Sequence, residues 1–178
     1  PVVQIMIDYI EADDVIAYVA QHDKYKDWEK VIVSSDKDFF QLISKESKLY
    51  RPIQDQVVDY PTLMEQHKIH PQNFALARSL VGDKSDNLPG VPRVGLKTVA
   101  SKFPFLKEAK QYEVKDILEH CEAQDKMLKI HENIVEHSAL VEKNYKIMQL
   151  YSPSISFLHK KQINFSLKEF EPSMKKLQ

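Results

Sequence analysis

Short apolar runs that end in acid constrain this chain more than any other feature. Val2-Val3-Gln4-Ile5-Met6-Ile7 reads as a buried strand and leads to Glu11-Ala12-Asp13-Asp14. Lys30-Val31-Ile32-Val33-Ser34 reads as a second strand and leads to Asp36-Lys37-Asp38. Each is followed by a helical pattern: Val15, Ile16 and Val19 between Glu11 and Ala20, then a short segment from Phe39 to Ile43. Strand, helix, strand, helix at this spacing predicts a parallel sheet with crossover helices. Ligands of such sheets bind outside the carboxyl ends of the strands, where both acidic clusters fall.

Further along, two short β runs are expected between Leu49 and Val58. Pro61 and Pro71 suit the first turns of helices over 62–68 and 72–81. The loop Gly82-Asp83-Lys84-Ser85-Asp86-Asn87-Leu88-Pro89-Gly90 interrupts the helices, and a helical pattern resumes over 93–103. The span 113–150 is helical and charged, and no clear period is visible after Ser152. With 178 residues, 43% of them hydrophobic, the chain is long enough for one domain or a domain with an appendage. Three glycines and 29% charged residues fit a helix-rich globule. The chain opens at Pro1 directly in an apolar run, which is expected of a fragment boundary with sequence upstream.

Composition also excludes classes. The lone cysteine, Cys121, permits no intrachain disulfide and suits a reducing compartment. No apolar run reaches membrane-spanning length and no signal peptide is visible, so a cytoplasmic location, in a bacterium or a phage-infected host, is expected. A net charge of -1 is unlike a uniformly basic nucleic-acid binder. The charge is segregated, however: acids cluster between Glu11 and Asp86, while bases collect after Lys84 and near the C-terminus.

Each acidic cluster has an ordinary explanation. Glu11, Asp13 and Asp14 could complement a helix dipole, and Asp36 could cap a helix after Ser35. Asp83 and Asp86 stand among turn formers. Together they are harder to explain. Brought together at about 4 Å and an effective dielectric of about 20, each pair of like charges costs about 4 kcal/mol. A hard divalent cation with oxygen ligands relieves that cost, which points to Mg²⁺ or Mn²⁺ in preference to zinc. Two such ions about 3.5–4 Å apart are the usual device for cleaving phosphodiesters. Cys121 reads as a core residue and not as a nucleophile.

The second signal is Leu88-Pro89-Gly90-Val91-Pro92-Arg93-Val94-Gly95-Leu96-Lys97-Thr98-Val99-Ala100, which reads as helix, glycine-bearing hairpin, helix. Gly90 and Gly95 permit tight turns and close approach of a phosphate backbone. Backbone N–H groups opening the second helix can bind phosphate. Lys84, Arg93, Lys97 and Lys102 add sequence-independent affinity for nucleic acid. A solvated αα turn is the ordinary alternative.

Glu-Ala-Asp-Asp at 11–14, Ser-Ser-Asp-Lys-Asp at 34–38, and Gly-Asp-Lys-Ser-Asp-Asn-Leu-Pro-Gly-Val at 82–91 followed by Val-Gly-Leu-Lys-Thr resemble three ordered motifs of the flap endonuclease / 5′–3′ exonuclease family. That family includes the polymerase I 5′-nuclease domain and phage RNase H-like 5′-nucleases. The resemblance covers about Pro1 to Phe103. It implies a PIN-like α/β core with a partial parallel sheet, then a helix-three-turn-helix DNA-binding element at about 71–103 and a helical C-terminal region. The expected division is 1–60 for the later part of the nuclease core and 61–178 for the helical region.

By the same resemblance, Glu11 and Asp13 hold a first metal, with Asp14 nearby, and Asp36, Asp38, Asp83 and Asp86 hold a second. Lys84, Gly90, Val91, Arg93, Gly95, Lys97, Thr98 and Lys102 contact DNA, and the hairpin carbonyls hold K⁺ in relatives. The implied activity is hydrolysis at 5′ ends or flaps of DNA, and of RNA primers in RNA–DNA hybrids, during replication and alongside replication proteins. The family's first acidic strand and its basic helical arch precede the matching region. Their absence from this sequence raises the alternative of a non-catalytic, structure-specific DNA-binding fragment.

Overall fold

The computed structural model describes residues 2–124, 126–151 and 155–168. Its sheet has three strands, β1 (Lys30–Val33), β2 (Ser47–Arg51) and β3 (Gln56–Val58), in the order β1-β2-β3. The β1–β2 pair is parallel, with Lys30 opposite Ser47 and Val33 opposite Tyr50. The connection between them is the 3₁₀ segment Asp38–Leu42. β2–β3 is an antiparallel hairpin with Leu49 opposite Val58, so the sheet is mixed. Ile32, Leu49 and Val58 are buried, whereas Val31 and Val33 of β1 stay 55% and 63% exposed. Because side chains alternate along a strand, only one face of β1 is covered.

The expected strand over 2–7 does not form. Val3, Ile5 and Ile7 are half-buried while Val2, Gln4 and Met6 are exposed, so the segment keeps an extended alternation. A strand also needs a hydrogen-bonded neighbour, and none of the described residues supplies one. The segment instead lines an apolar cleft with Ile16, Val31 and Val33.

Eight α-helices are described. α1 (Ala12–Ala20) follows the first acidic cluster. α2 (Tyr60–His67) carries Pro61 in its first turn and is capped by Asp59, which accepts from the Thr62 N–H at 3.0 Å. Pro71 opens a 3₁₀ turn, Pro71–Asn73, that runs into α3 (Phe74–Val81). α4 (Leu96–Lys102) is shorter than expected, because Val91 to Gly95 are spent on the turn. α5 (Val114–Glu122), α6 (Lys129–Glu136) and α7 (Ser138–Met148) fill the charged helical span. A further helix, α8 (Phe157–Lys168), lies where no period was visible. It buries Ile163 fully while Phe157, Leu158 and Phe165 remain 67–70% exposed, so it has no apolar stripe to read.

α3 is the central helix: every residue from Phe74 to Leu80 is buried. One apolar cluster runs from Ala17 and Ile32 through Phe74, Leu76 and Leu80 to Val99, Ile117, Val141 and Leu150, spanning both sides of residue 60. Cys121 belongs to it, fully buried, and burial pushes its thiol up to about 11. At neutral pH that is a core thiol and no nucleophile.

Three buried amides fasten loops to this frame. Gln41 donates to the Met148 carbonyl at 2.9 Å and accepts from the Leu150 N–H at 2.7 Å. Asn73 donates to the carbonyls of Leu106 and Lys110 and accepts from the Tyr112 N–H. Asn144 of α7 donates to the Ser79 carbonyl at 3.1 Å and the Pro89 carbonyl at 2.8 Å, tying the loop after α3 to the helical layer. Buried amides of this kind satisfy backbone carbonyls that no helix or strand can reach.

Candidate functional site

Three chain segments carry the acids. Glu11 stands at the N-cap of α1 without a side-chain cap hydrogen bond, and Asp13 and Asp14 lie in the first turn. Asp36 and Asp38 follow β1 at its carboxyl end. Asp83 and Asp86 follow α3 in a loop closed by paired backbone bonds between Asp83 and Leu88, at 2.8 and 2.7 Å.

The segments sense one another. Burial raises the Asp13 carboxyl above its ordinary value, and the charges of Asp36, Glu11, Asp14 and Asp86 push it further in the same direction. Asp86 is raised by burial and by Asp83, Asp36 and Glu11, against Arg78. Burial raises Asp14 too, with Glu11 adding to it. Mutual repulsion of this sort requires the clusters to share one region, which their sequence positions alone do not guarantee.

Two of the acids also serve local structure, as the ordinary readings expect. Asp36 Oδ1 accepts from the Asp38 N–H at 2.8 Å, and Asp83 Oδ1 accepts from the Ser85 N–H at 2.8 Å and from its hydroxyl.

A residue that the sequence reading passed over sits between them. Arg78 of α3 is 6% exposed. Its Nε donates to Asp38 Oδ1 at 3.2 Å, its Nη2 to Asp83 Oδ2 and its Nη1 to the Gly82 carbonyl at 3.4 Å. Its two carboxylates respond differently. Burial raises Asp38 to about 6, more than the Arg78 charge can offset, and Asp36 adds to the rise. Burial also acts upward on Asp83, but hydrogen bonds from Ser85 and Arg78 outweigh it and hold that carboxyl at about 2. The signal that could have revealed Arg78 is its place as the one charged residue in the apolar run Phe-Ala-Leu-Ala-Arg-Ser-Leu-Val.

The donor chemistry, carboxylate oxygen throughout, suits a hard divalent cation. Among the described residues, the side chains as they stand do not close into a group of three metal ligands. Among the described residues, none donates a hydrogen bond to the carboxylates of Glu11, Asp13, Asp14 or Asp86, and Arg78 takes one oxygen from each of Asp38 and Asp83.

The basic residues fall on and beside the turn between α3 and α4. Lys84, Arg93 and Lys97 are exposed, and Thr98 and Lys102 are half-buried. Arg93 has φ 64, a left-handed conformation that turns the chain into α4. Val91 differs from expectation: it is 3% exposed and its N–H donates to the Leu80 carbonyl at 2.8 Å, so its side chain faces the core and cannot meet a duplex. The glycines also divide. A Cβ at Gly90 would lie 1.9 Å from the Val81 carbonyl oxygen, so this glycine lets the loop close on itself. A Cβ at Gly95 would meet nothing within 4 Å, which leaves that position open to an approaching backbone.

The α/β frame thus gathers acids at the carboxyl end of β1, with basic residues on the turn between α3 and α4 beside them. Residues 2–72 match the family described as "5'-3' exonuclease, N-terminal resolvase-like domain". Over this part the chain is similar to 5′–3′ exonucleases. It is 37% identical over 101 residues to the 5′-3′ exonuclease of Buchnera aphidicola (Schizaphis graminum), covering 55% of this chain and 35% of that protein. It is 41% identical over 88 residues to the 5′-3′ exonuclease of Aquifex aeolicus, covering 49% of this chain and 30% of that one. With DNA polymerase I of Rhizobium leguminosarum the identity is 37% over 90 residues, 51% of this chain and 9% of the relative.

The chain thus spans about a third of the length of the curated 5′-3′ exonucleases it matches. Its fold is similar to that of the bacteriophage T5 5′-exonuclease, with a TM-score of 0.75 and 19% identity over 92% of this chain and 68% of the other. That T5 protein has been solved with bound zinc, and, as a flap endonuclease pseudo-enzyme–product complex, with DNA and metal ions.

Proposed function

We propose that this chain is part of a metal-dependent 5′-nuclease, hydrolysing phosphodiester bonds at 5′ ends or flaps of DNA, and RNA primers paired to DNA, in cytoplasmic replication. The observation that carries the reading is the mutual repulsion among Asp13, Asp36, Asp38, Asp83 and Asp86, which come from separate segments. Crowded carboxylates, of which Asp13 and Asp86 have no hydrogen-bond donor among the described residues, are what Mg²⁺ or Mn²⁺ would relieve. In this reading Glu11, Asp13 and Asp14 hold one ion, and Asp36, Asp38, Asp83 and Asp86 a second. Bound cations would supply an activated water and neutralise charge on the attacking and leaving oxygens. The protein's own contribution is grip: Lys84, Arg93, Lys97 and Lys102 meet phosphates, Thr98 lies on the same helix, and Gly95 lets the duplex backbone come close. K⁺ on the carbonyls of the α3–α4 turn belongs to the same proposal.

A second reading is a structure-specific DNA-binding fragment that does not cut. It is favoured by Arg78, which already takes up one oxygen of Asp38 and one of Asp83. One assay separates the two: fluorescence anisotropy and cleavage on flap, nicked and RNA–DNA substrates with Mg²⁺ or Mn²⁺. Nuclease function requires that Asp86→Asn still binds the flap but cuts at least about tenfold more slowly, a barrier increase of about 1.4 kcal/mol. Equal cleavage by Asp86→Asn makes the 83–88 loop a turn only. Tight binding with no cleavage by the unaltered chain supports the second reading.

A further inference from the structure

We propose that Arg78 is a positioning residue for the acidic site: a built-in counter-cation that holds Asp38 and Asp83 together before any metal arrives. The proposal rests on the metal reading above and assigns the division of labour within it.

Four observations carry it. Arg78 lies in a helix whose other residues from Phe74 to Leu80 are uncharged and buried, and a guanidinium 6% exposed is costly there without partners. Its partners come from two segments that no other hydrogen bond among the described residues joins directly: Asp38 after β1, and Asp83 with the Gly82 carbonyl after α3. The planar fork of the guanidinium lets separate nitrogens serve each of them, which a lysine cannot do. Finally, the remaining oxygens are unevenly committed. Asp83 Oδ1 is taken by Ser85, whereas Asp38 Oδ2 has no hydrogen-bond partner among the described residues.

The consequence is an ordered site. Arg78 offsets one of the two charges of the inner pair and fixes Asp38 through one oxygen, leaving the other without a partner among the described residues. Glu11, Asp13, Asp14 and Asp86 have no internal cation and depend on an external one. Without Arg78 the inner carboxylates repel and the ends of β1 and α3 separate, unless the charges are removed or a divalent cation replaces the guanidinium.

The test compares the chain as given with Arg78→Gln, Arg78→Lys and the triple variant Arg78→Gln/Asp38→Asn/Asp83→Asn, by thermal melting in EDTA and in millimolar Mn²⁺. In EDTA, Arg78→Gln lowers Tm on the order of 10 °C, because a buried pair loses one partner. The triple variant recovers more than half of that loss, since the inner pair no longer carries charge. Arg78→Lys falls between wild type and Arg78→Gln. Mn²⁺ raises Tm of Arg78→Gln by several degrees more than that of wild type. Should Arg78→Gln not fold, a folded triple variant gives the same support. A triple variant no more stable than Arg78→Gln, folded or not, overturns the proposal and makes Arg78 a packing residue. Recovery in the triple variant with no Mn²⁺ effect on any protein upholds the counter-cation and sinks the metal reading instead.

Discussion

Replacing Gly90 with alanine is the most informative perturbation of the frame beneath the site. The new Cβ would stand 1.9 Å from the Val81 carbonyl oxygen and 2.8 Å from the Gly82 nitrogen. Both neighbours are backbone and cannot rotate aside. Ordinary contact begins near 3.4 Å, so the strands of the loop must part by about 1.5 Å. That displacement pulls on the Val91-to-Leu80 backbone bond and on the Asn144 bond to the Pro89 carbonyl, each at 2.8 Å.

Overpacking of this kind costs about 1–3 kcal/mol, and a weakened buried hydrogen bond adds about 1 kcal/mol. A total near 3 kcal/mol lowers Tm by roughly 6–12 °C in a chain of this length. Gly95→Ala is the control: nothing lies within 4 Å of its Cβ, and at φ -125 the position is the N-cap of α4. It should cost no more than about 1 kcal/mol, or roughly 2–4 °C. Circular-dichroism melts of both variants measure the contrast. Gly90→Ala melting within about 2 °C of wild type, or below Gly95→Ala in its effect, would refute the close-packed account of this loop.

Two further outcomes are expected. Lys97→Ala, on the exposed side of α4, should weaken every duplex alike and reduce the slope of log affinity against log salt by about one, read by anisotropy from 50 to 200 mM salt; an unchanged slope places the phosphate contact elsewhere. For pH, Asp38 rises in the fold from 3.8 to about 6, so the fold favours its protonated form. Its favourable contribution is complete below 3.8 and is lost as pH rises through about 6. In EDTA, Asp38→Asn should therefore gain stability relative to wild type between pH 4 and 7, on the order of 2 kcal/mol in urea melts; parallel profiles would contradict this.

The sequence by itself determined the elements whose causes are local. β1 follows from an apolar, β-branched run bounded by polar residues, and α2 and the 3₁₀ turn leading into α3 start at Pro61 and Pro71. The acidic motifs and the basic turn were legible as residue types at fixed offsets. The tertiary structure decided whatever depends on a distant partner. Residues 2–7 alternate like a strand, yet pairing needs a neighbour, and none of the described residues provides it. α8 is held by one buried residue, Ile163, too little to leave a period in the sequence. Val91 and Gly90 look like parts of a DNA-facing hairpin, but the core behind α3 claims the Val91 side chain and the Val81 carbonyl claims the space beside Gly90. Arg78 stands out in the sequence as a lone charge in an apolar helix, but its partners become legible only once the fold brings Asp38 and Asp83 to it. Periodicity and capping act over a few residues along the chain, whereas repulsion between carboxylates, and the cation that relieves it, act through space.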